Sequence, residues 1–578
     1  MIKESCDAVV VGAGWFGLAA AKAYIQLNPT ANLAVIESSE SCGGTWSKNR
    51  LYPGLKSNNM VGTYEYPDFP MTEEAYGIKP NNHIPGATLH QYLTDFAKHF
   101  GIFERIQFNT SVDLVERNGT AGWRLSVTAP YGARVISTEK LILATGLTST
   151  PNLPTYANSD KFEGPFFHAK DFCKEAPRLK HIRNAVVVGG AKSAFDVAYA
   201  LVQDGAEVDL VVRPDGHGPV WIAPPFVTPF KKRMDQLLNV RWMSWFSPCP
   251  WGQEDGYGGI RNFLHGTAVG RFMVDSFWSV LSGDVLSANA YDSHPELQKL
   301  KPWHSAFWIG SGLSILNYES SLFDLIKDGK IRVHIDNIDY LEARTVVLAS
   351  GRQLDAEAIV CSTGWKKEST IKFAGLGEEQ LGLPLSPSEK RALDEAADAK
   401  VLNLYPRLAD QPKLKFQPKE ANPLRYYRFM VPSTMMDSRN LAFAGMISSV
   451  STSICATVQG HWIAAFLSGR LDRLPTTEKE VTDEIMLHTQ WGKWRYPCGY
   501  GANLPDFVFE GLPYVNMLMK DLGLETHRKP SSFQELTSPY LPADFKGLVD
   551  EWKSKHAAEK LDDDSVKQLV EVSVSSMV

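Results

Sequence analysis

Cysteine is scarce and scattered: seven residues, at 6, 42, 173, 249, 361, 455 and 498, with no C-x-x-C and no close pair. That excludes a disulfide-stapled scaffold, a zinc site of ordinary spacing and a redox-active disulfide. No apolar run of about 18 residues free of charge occurs, which is the length a membrane helix needs. The two nearest stretches are interrupted, Phe272 to Ala290 by Asp275 and Asp284, and Leu441 to Leu467 by Ser, Thr, Gln459 and His461. No charged segment with an apolar core precedes Asp7, so no signal peptide is expected. H-E-x-x-H and G-x-S-x-G are both missing, so neither a zinc-protease helix nor a nucleophile elbow is expected. Basic charge is not in excess either, the formal net charge being −6, and no global field draws the chain to nucleic acid. From these absences a soluble, cytoplasmic protein without a metal site and without a nucleic-acid partner is expected, with peripheral membrane contact left open.

What is present is glycine in two matched places. The first is Asp7-Ala-Val-Val-Val-Gly12-Ala13-Gly14-Trp-Phe16-Gly17, followed by a helix-like stretch to Leu27 and by Leu33-Ala-Val-Ile36 closing on Glu37. The second is Ala185-Val-Val-Val188-Gly189-Gly190-Ala191-Lys192-Ser193-Ala194, followed by Phe195, Asp196 and a helix-like stretch to Gln203, then by Glu207-Val-Asp-Leu-Val-Val212 closing on Arg213. Each reads as strand, tight turn, helix and strand, which sets a pyrophosphate against N–H groups at a helix N-terminus. The two units differ in the residue that closes the second strand. A carboxylate there accepts hydrogen bonds from a ribose 2′-OH, whereas a guanidinium suits a 2′-phosphate. The spacing of Glu37, 20 residues beyond Gly17, is that of the dinucleotide fingerprint. Two dinucleotides follow, FAD on the first turn and NADPH on the second.

At 578 residues and 44% hydrophobic, the chain has material for two or three domains. The first unit ends at Leu141-Ile-Leu-Ala144-Thr145-Gly146, and a parallel ending recurs at Ala358-Ile-Val-Cys361-Ser-Thr363-Gly364. The fold class expected is α/β, with two doubly wound, Rossmann-like dinucleotide-binding domains, the NADP domain inserted into the FAD domain. The boundaries are 1–165 and 366–475 for FAD and 166–215 and 309–365 for NADP. Residues 216–308 form an aromatic-rich insertion with seven of the 15 Trp. These rings either line a pocket or fill an irregular core. Residues 476–578 form a polar C-terminal extension, whose last stretch from Lys553 is expected at the periphery.

The residues between the turns resemble the class B flavoprotein monooxygenases, specifically the flavin-containing monooxygenases. Phe162-Glu-Gly164-Pro-Phe-Phe-His168-Ala-Lys-Asp-Phe172 is similar to the family signature F-x-G-x-x-x-H-x-x-x-Y, with Phe172 in the Tyr position. Gly43-Gly44-Thr45-Trp46 is similar to the turn that lies against the flavin, and Asp68-Phe-Pro-Met71 to the family's D-F-P motif. Phe443-Ala-Gly-Met446 through Thr457-Val-Gln459-Gly-His-Trp462 is similar to the last FAD-facing strand and helix. The style is that of fungal members that tailor small metabolites in secondary metabolism.

The resemblance implies an FAD-dependent NADPH monooxygenase that N-, S- or C-oxygenates a small organic molecule with O2 through a flavin C4a-hydroperoxide. It implies FAD contacts at Gly12, Ala13, Gly14, Phe16, Gly17, Glu37, Gly44, Thr45, Trp46, Asn59, Val112, Ala144, Thr145 and Gly146. On the second unit it implies NADP contacts at Gly189, Ala191, Lys192, Ser193, Ala194, Phe195, Asp196 and Arg213, with His168 joining the two sites positionally. Asn58, ten residues before Asp68, takes the place of the family Asn beside the reacting flavin carbon and is the catalytic candidate. The Baeyer–Villiger relatives share Asn49-Arg50 and Tyr52-Pro-Gly54 but carry Asp at position 58 and end their signature in Trp-Pro where Phe172-Cys173 stands. These two departures favour attack on N or S, and carbonyl insertion stays open as the alternative, with a silent cofactor-binding sensor as the third.

Overall fold

In the computed structural model of the chain, residues 3–119, 122–227, 231–310, 312–367, 371–376, 381–416 and 424–557 are described. The Val run after Asp7 forms the strand Lys3–Val11, whose Val9 and Val10 have no exposed surface. A strand apolar on both faces needs parallel neighbours and cover on each side, and this one has both. It pairs in parallel with Leu33–Ile36 and with Gly132–Leu143. The full sheet has eight strands in the order Lys372–Phe373, Ser111–Asn118, Gly122–Ala129, Gly132–Leu143, Lys3–Val11, Leu33–Ile36, Ile106–Gln107, with Leu441–Phe443 also alongside Gly132–Leu143. Its antiparallel half, Ser111 to Leu143, is a meander.

A second sheet has five strands, all parallel: Phe166–His168, Ala358–Cys361, Asn184–Val188, Glu207–Val212 and Ile331–Ile335, in that order. The larger sheet therefore draws its strands from residues 3–143 and 372–443, and the smaller one from 166–212 and 331–361. The chain crosses between the sheets twice, and the two crossings pair with each other, Thr150–Pro151 running antiparallel to Trp365–Lys366. The whole is a mixed α/β structure.

Most of the insertion's rings fill core. Trp221, Trp251, Trp278 and Trp308 are buried, Trp245 and Trp303 half-buried, and Trp242 exposed. The C-terminal extension is not peripheral up to Trp552. Helices Glu478–Arg495 and Gly511–Asp521 place Trp491, Tyr496, Tyr514 and Leu518, with Trp552 beyond them, in the same buried cluster as the first glycine unit. Residues 558–578, the end of the stretch expected at the periphery, lie outside the described residues. Among the described residues no helix is long and apolar enough to cross a membrane.

Candidate active site between two glycine turns

Both glycine turns are built alike. Gly12 has φ +107°, and a β-carbon there would sit 2.3 Å from the Ala144 carbonyl oxygen. Gly189 has φ +144°, and its β-carbon would sit 2.5 Å from the Ser362 oxygen. Only glycine fits either place. Each turn thus abuts the first residue of a strand-to-Thr-Gly ending, Ala144-Thr145-Gly146 in one case and Ser362-Thr363-Gly364 in the other. Gly17 packs on Gly12, its β-carbon meeting the Gly12 oxygen at 1.9 Å, while Ala194 in the equivalent place would be 3.3 Å from a β-carbon on Gly189.

The helices that follow, Trp15–Leu27 and Lys192–Gln203, begin at Gly14 and Ala191 with no side-chain cap and no acid in the first turn. Their N-terminal N–H groups carry the positive end of the helix dipole and await an anion. Gly14 faces Gly44 across a narrow gap, a β-carbon on Gly44 reaching 3.2 Å from the Gly14 Cα, so any side chain would fill it. Glu37 is buried at the end of its strand and accepts from the Ala13 N–H at 2.7 Å and the Ser39 N–H at 2.8 Å. Thr110, which precedes Val112 by two residues, donates its N–H to the Glu37 carbonyl. Phe16 lies directly against Gly445. Uncapped N–H donors, a glycine-walled gap and a buried carboxylate form a donor and acceptor set that fits a dinucleotide.

Next to this turn is a cavity of about 240 Å³, lined by Trp46, Tyr64, Ser57, Asn58, Asn59, Leu238, Leu313, Ser314, Ile315, Ser448, Ser449, Val450 and Thr452. Its lining holds neither a carboxylate nor a cationic side chain. Trp46 is fixed by its indole N–H donating to Tyr64 Oη at 3.1 Å. Asn59 Nδ2 donates to the Val450 carbonyl at 3.3 Å. Asn58, half-buried on the strand Lys56–Met60, has no hydrogen-bond partner for its amide among the described residues. The sequence-selected Trp46, Asn58 and Asn59 therefore meet at one cavity, and only Asn58 has a free polar head there.

Two residues that sequence reasoning missed hold this strand. Asp235, from the insertion, is fully buried and accepts from the Met60 N–H at 2.9 Å, from the Thr63 hydroxyl and from Arg233 at 2.7 and 3.0 Å. Asn317 donates to the carbonyls of Lys56 and Ser57 at 3.2 and 3.1 Å and accepts from Lys192 at 2.8 Å. No local motif marks either one.

On the second unit the selected residues divide. Lys192 is occupied by Asp196, Asn317 and the face of Tyr318, and Ala194 and Phe195 point into the core. Only the backbone of Ala194 and Phe195 can meet a ligand. Arg213 is exposed and has no carboxylate partner among the described residues, as a free phosphate ligand would be. His168 is buried, its Nε2–H donating to the Gly364 carbonyl at 2.9 Å and its Nδ1 accepting from the Lys170 N–H at 3.1 Å. Burial pushes its pKa down. The ring is a neutral tie between the strand ends of the second sheet. Asp68 pairs with Lys22 and accepts from the Gly547 N–H at 2.7 Å.

Comparison with known proteins agrees with this geometry. Residues 9–241 match the family model described as pyridine nucleotide-disulphide oxidoreductase. The FAD-dependent monooxygenase resA of Aspergillus sclerotiorum is 34% identical over 581 residues, covering 96% of this chain and 99% of that protein. An FAD-dependent monooxygenase of Pyrenophora dematioidea is also 34% identical, covering 92% and 100%. The chain belongs to the FAD-dependent monooxygenases. The enzyme keeps the nucleotide-binding framework of the matched family model without a disulfide, since all seven cysteines are free. The open form of cyclohexanone monooxygenase superposes with a TM-score of 0.59 at 17% identity, covering 90% of this chain and 98% of that one, and shares the fold.

Proposed function

We propose that the enzyme uses NADPH and O2 to oxygenate a small organic molecule, with FAD on the first glycine turn and NADPH on the second. In this reading residues 1–165 and 366–475 are the FAD domain, and 166–215 and 309–365 an NADP domain inserted into it. Bound FAD would supply the hydride acceptor and the O2-activating centre. The observation that carries the proposal is the convergence of Trp46, Asn58 and Asn59 on a cavity of about 240 Å³ beside the first turn, with the Asn58 amide unpartnered.

The chain's own residues then divide the work. Glu37 is placed to hold an adenosine ribose, and the N–H groups beyond Gly14 and Ala191 to hold pyrophosphates. Arg213 is placed to select the 2′-phosphate. The Asn58 amide can donate a hydrogen bond to a reacting oxygen without bringing charge, and the surrounding Trp46, Tyr64, Leu313, Ile315 and Val450 exclude water. A neutral amide where the Baeyer–Villiger relatives carry Asp supports attack on N or S over carbonyl insertion. Mass spectrometry under 18O2 with purified enzyme, NADPH and candidate amines, sulfides and ketones tests this. One 18O atom in an N-oxide, S-oxide or hydroxyl product supports it, an 18O-labelled ester would select the alternative, and NADPH oxidation yielding hydrogen peroxide alone with every substrate would count against it.

A further inference from the structure

The paired crossings between the two sheets carry a concentration of positive charge that the roles above do not use. Three consecutive carbonyls of the first crossing are each bonded by a different cation. Lys367 donates to the Leu147 oxygen at 3.2 Å, Arg50 to the Thr148 oxygen at 3.1 Å, and Lys170 to the Ser149 oxygen at 2.6 Å. All three side chains come from different segments and are half-buried. None has a carboxylate within ion-pair distance among the described residues. The nearest acids act only at longer range, Asp506 on Lys367 and Asp171 on Arg50 and Lys170. Asp171 is itself paired with Lys174 at 3.2 Å.

A carbonyl needs no more than a neutral donor, so cations on three successive carbonyls, with Arg50 and Lys170 repelling each other, are a poor choice for pinning one loop. Each also has donors to spare, since an ammonium offers three and a guanidinium five. Desolvation pulls the Lys367 ammonium down to about 8 and lowers Lys170 and Arg50 as well. Arg50 lies over the Trp365 ring at 5.0 Å and Lys367 over the Tyr500 ring at 4.5 Å, and neither ring supplies a full counter-charge. The position of the cations says which anion completes them. The crossings start at Ala144 and Ser362, the residues against which Gly12 and Gly189 pack, so the cluster lies a few residues along the chain from the points where both turns pack. Thr45 of the Gly43-Gly44 turn reaches the same loop, its hydroxyl 3.3 Å from that of Thr148.

We propose that Arg50, Lys170 and Lys367 form a phosphate site on the double crossing, which takes a phosphate ester of a bound dinucleotide. The proposal rests on the assignment of the two turns to dinucleotides, and the experiment separates the two. In the FAD-loaded enzyme, Arg50→Gln, Lys170→Gln and Lys367→Gln are measured beside Arg213→Ala for NADP+ affinity, for competition by inorganic pyrophosphate and for FAD lost on gel filtration. Each Gln variant is expected to weaken NADP+ or to speed FAD loss about tenfold, the size of one charge-assisted contact. Weakened NADP+ and pyrophosphate binding assigns the site to the nicotinamide coenzyme, and faster FAD loss assigns it to the flavin. Lys367→Arg, which keeps the charge, retains wild-type binding; equal damage by Arg and Gln would mark a packing effect and overturn the proposal. Unchanged affinities in all three Gln variants, with Arg213→Ala still weakened, would overturn the cation site and spare the coenzyme assignment. If Arg213→Ala is unaffected too, the assignment of the second turn fails with it.

Discussion

Gly14 faces Gly44 backbone to backbone, and a β-carbon on Gly14 would lie in ordinary contact, 3.5 Å from the Gly44 Cα, filling the gap between them. Gly14→Val therefore occupies the gap that a pyrophosphate would use, and purified Gly14→Val is expected to carry no flavin, read from its absorbance. At Arg213, loss of a charge-assisted phosphate contact costs about 1.5–3 kcal/mol. Arg213→Ala should lower NADPH kcat/KM tenfold to a hundredfold, on the order of that energy, while NADH kinetics barely move. Lys192 is a poor substitute because Asp196, Asn317 and Tyr318 already hold it. For Asn58, removing one preorganised donor at a reacting oxygen costs about 10²–10³ in rate. Asn58→Leu should keep FAD and divert NADPH oxidation to hydrogen peroxide. Asn59→Leu is the control: its amide already serves Val450, so it should disturb the cavity wall more than the coupling. Equal coupling in wild type and Asn58→Leu would remove Asn58 from the chemistry. Gly14 and Arg213 could be picked from the spacing of the two glycine units, whereas Asn58 came only from the resemblance to the family.

Elements were legible where their pattern is local. The Val runs before Gly12 and Gly189 specify buried parallel strands, and the glycines specify the turns. What positions the Asn58 strand was not, because the contacts span the chain: Asp235 bonds the Met60 N–H across 175 residues, and Asn317 bonds Ser57 across 260. Nothing near Asp235 in sequence suggests a strand clamp. Its removal has a definite consequence. Asp235→Ala strands the buried Arg233 without its counter-charge, a loss of about 3–5 kcal/mol, and frees the Met60 N–H. Thermal unfolding should drop, and the hydrogen peroxide formed per NADPH should rise, because the strand that presents Asn58 loses its anchor. A lower melting temperature with unchanged coupling would confine Asp235 to stability.

Across the whole molecule, the cavity beside Asn58 depends on the C-terminal extension, which in sequence shows only a polar composition. The helix Glu478–Arg495 is polar in composition, with charged residues at most of its exposed positions. Its buried face is thin in sequence but complete in space, and Trp491 has no exposed surface. Beyond it, Asp506–Phe507 pairs in parallel with Ser448–Ser449, two residues of the cavity wall. Glu510 lies wholly buried, accepting from Tyr496 Oη at 2.6 Å, the Val508 N–H at 3.0 Å and Ser247, while Arg495 is 3.5 Å away and bonds Ser247 at 2.7 Å. This cluster ties the insertion, through Ser247, to the C-terminal helices. Glu510→Gln would leave Arg495 as an uncompensated charge with no access to water, a loss of about 3–5 kcal/mol. Because the same cluster backs the Ser448–Ser449 wall, the destabilised protein should also release FAD at a lower temperature than wild type, read as flavin fluorescence during a melt. A chain cut before Glu478 loses the pairing strand and a large share of the common core, and it should yield no soluble flavoprotein. A soluble, yellow product from that truncation would mean that the C-terminal helices cover the fold without supporting the cavity.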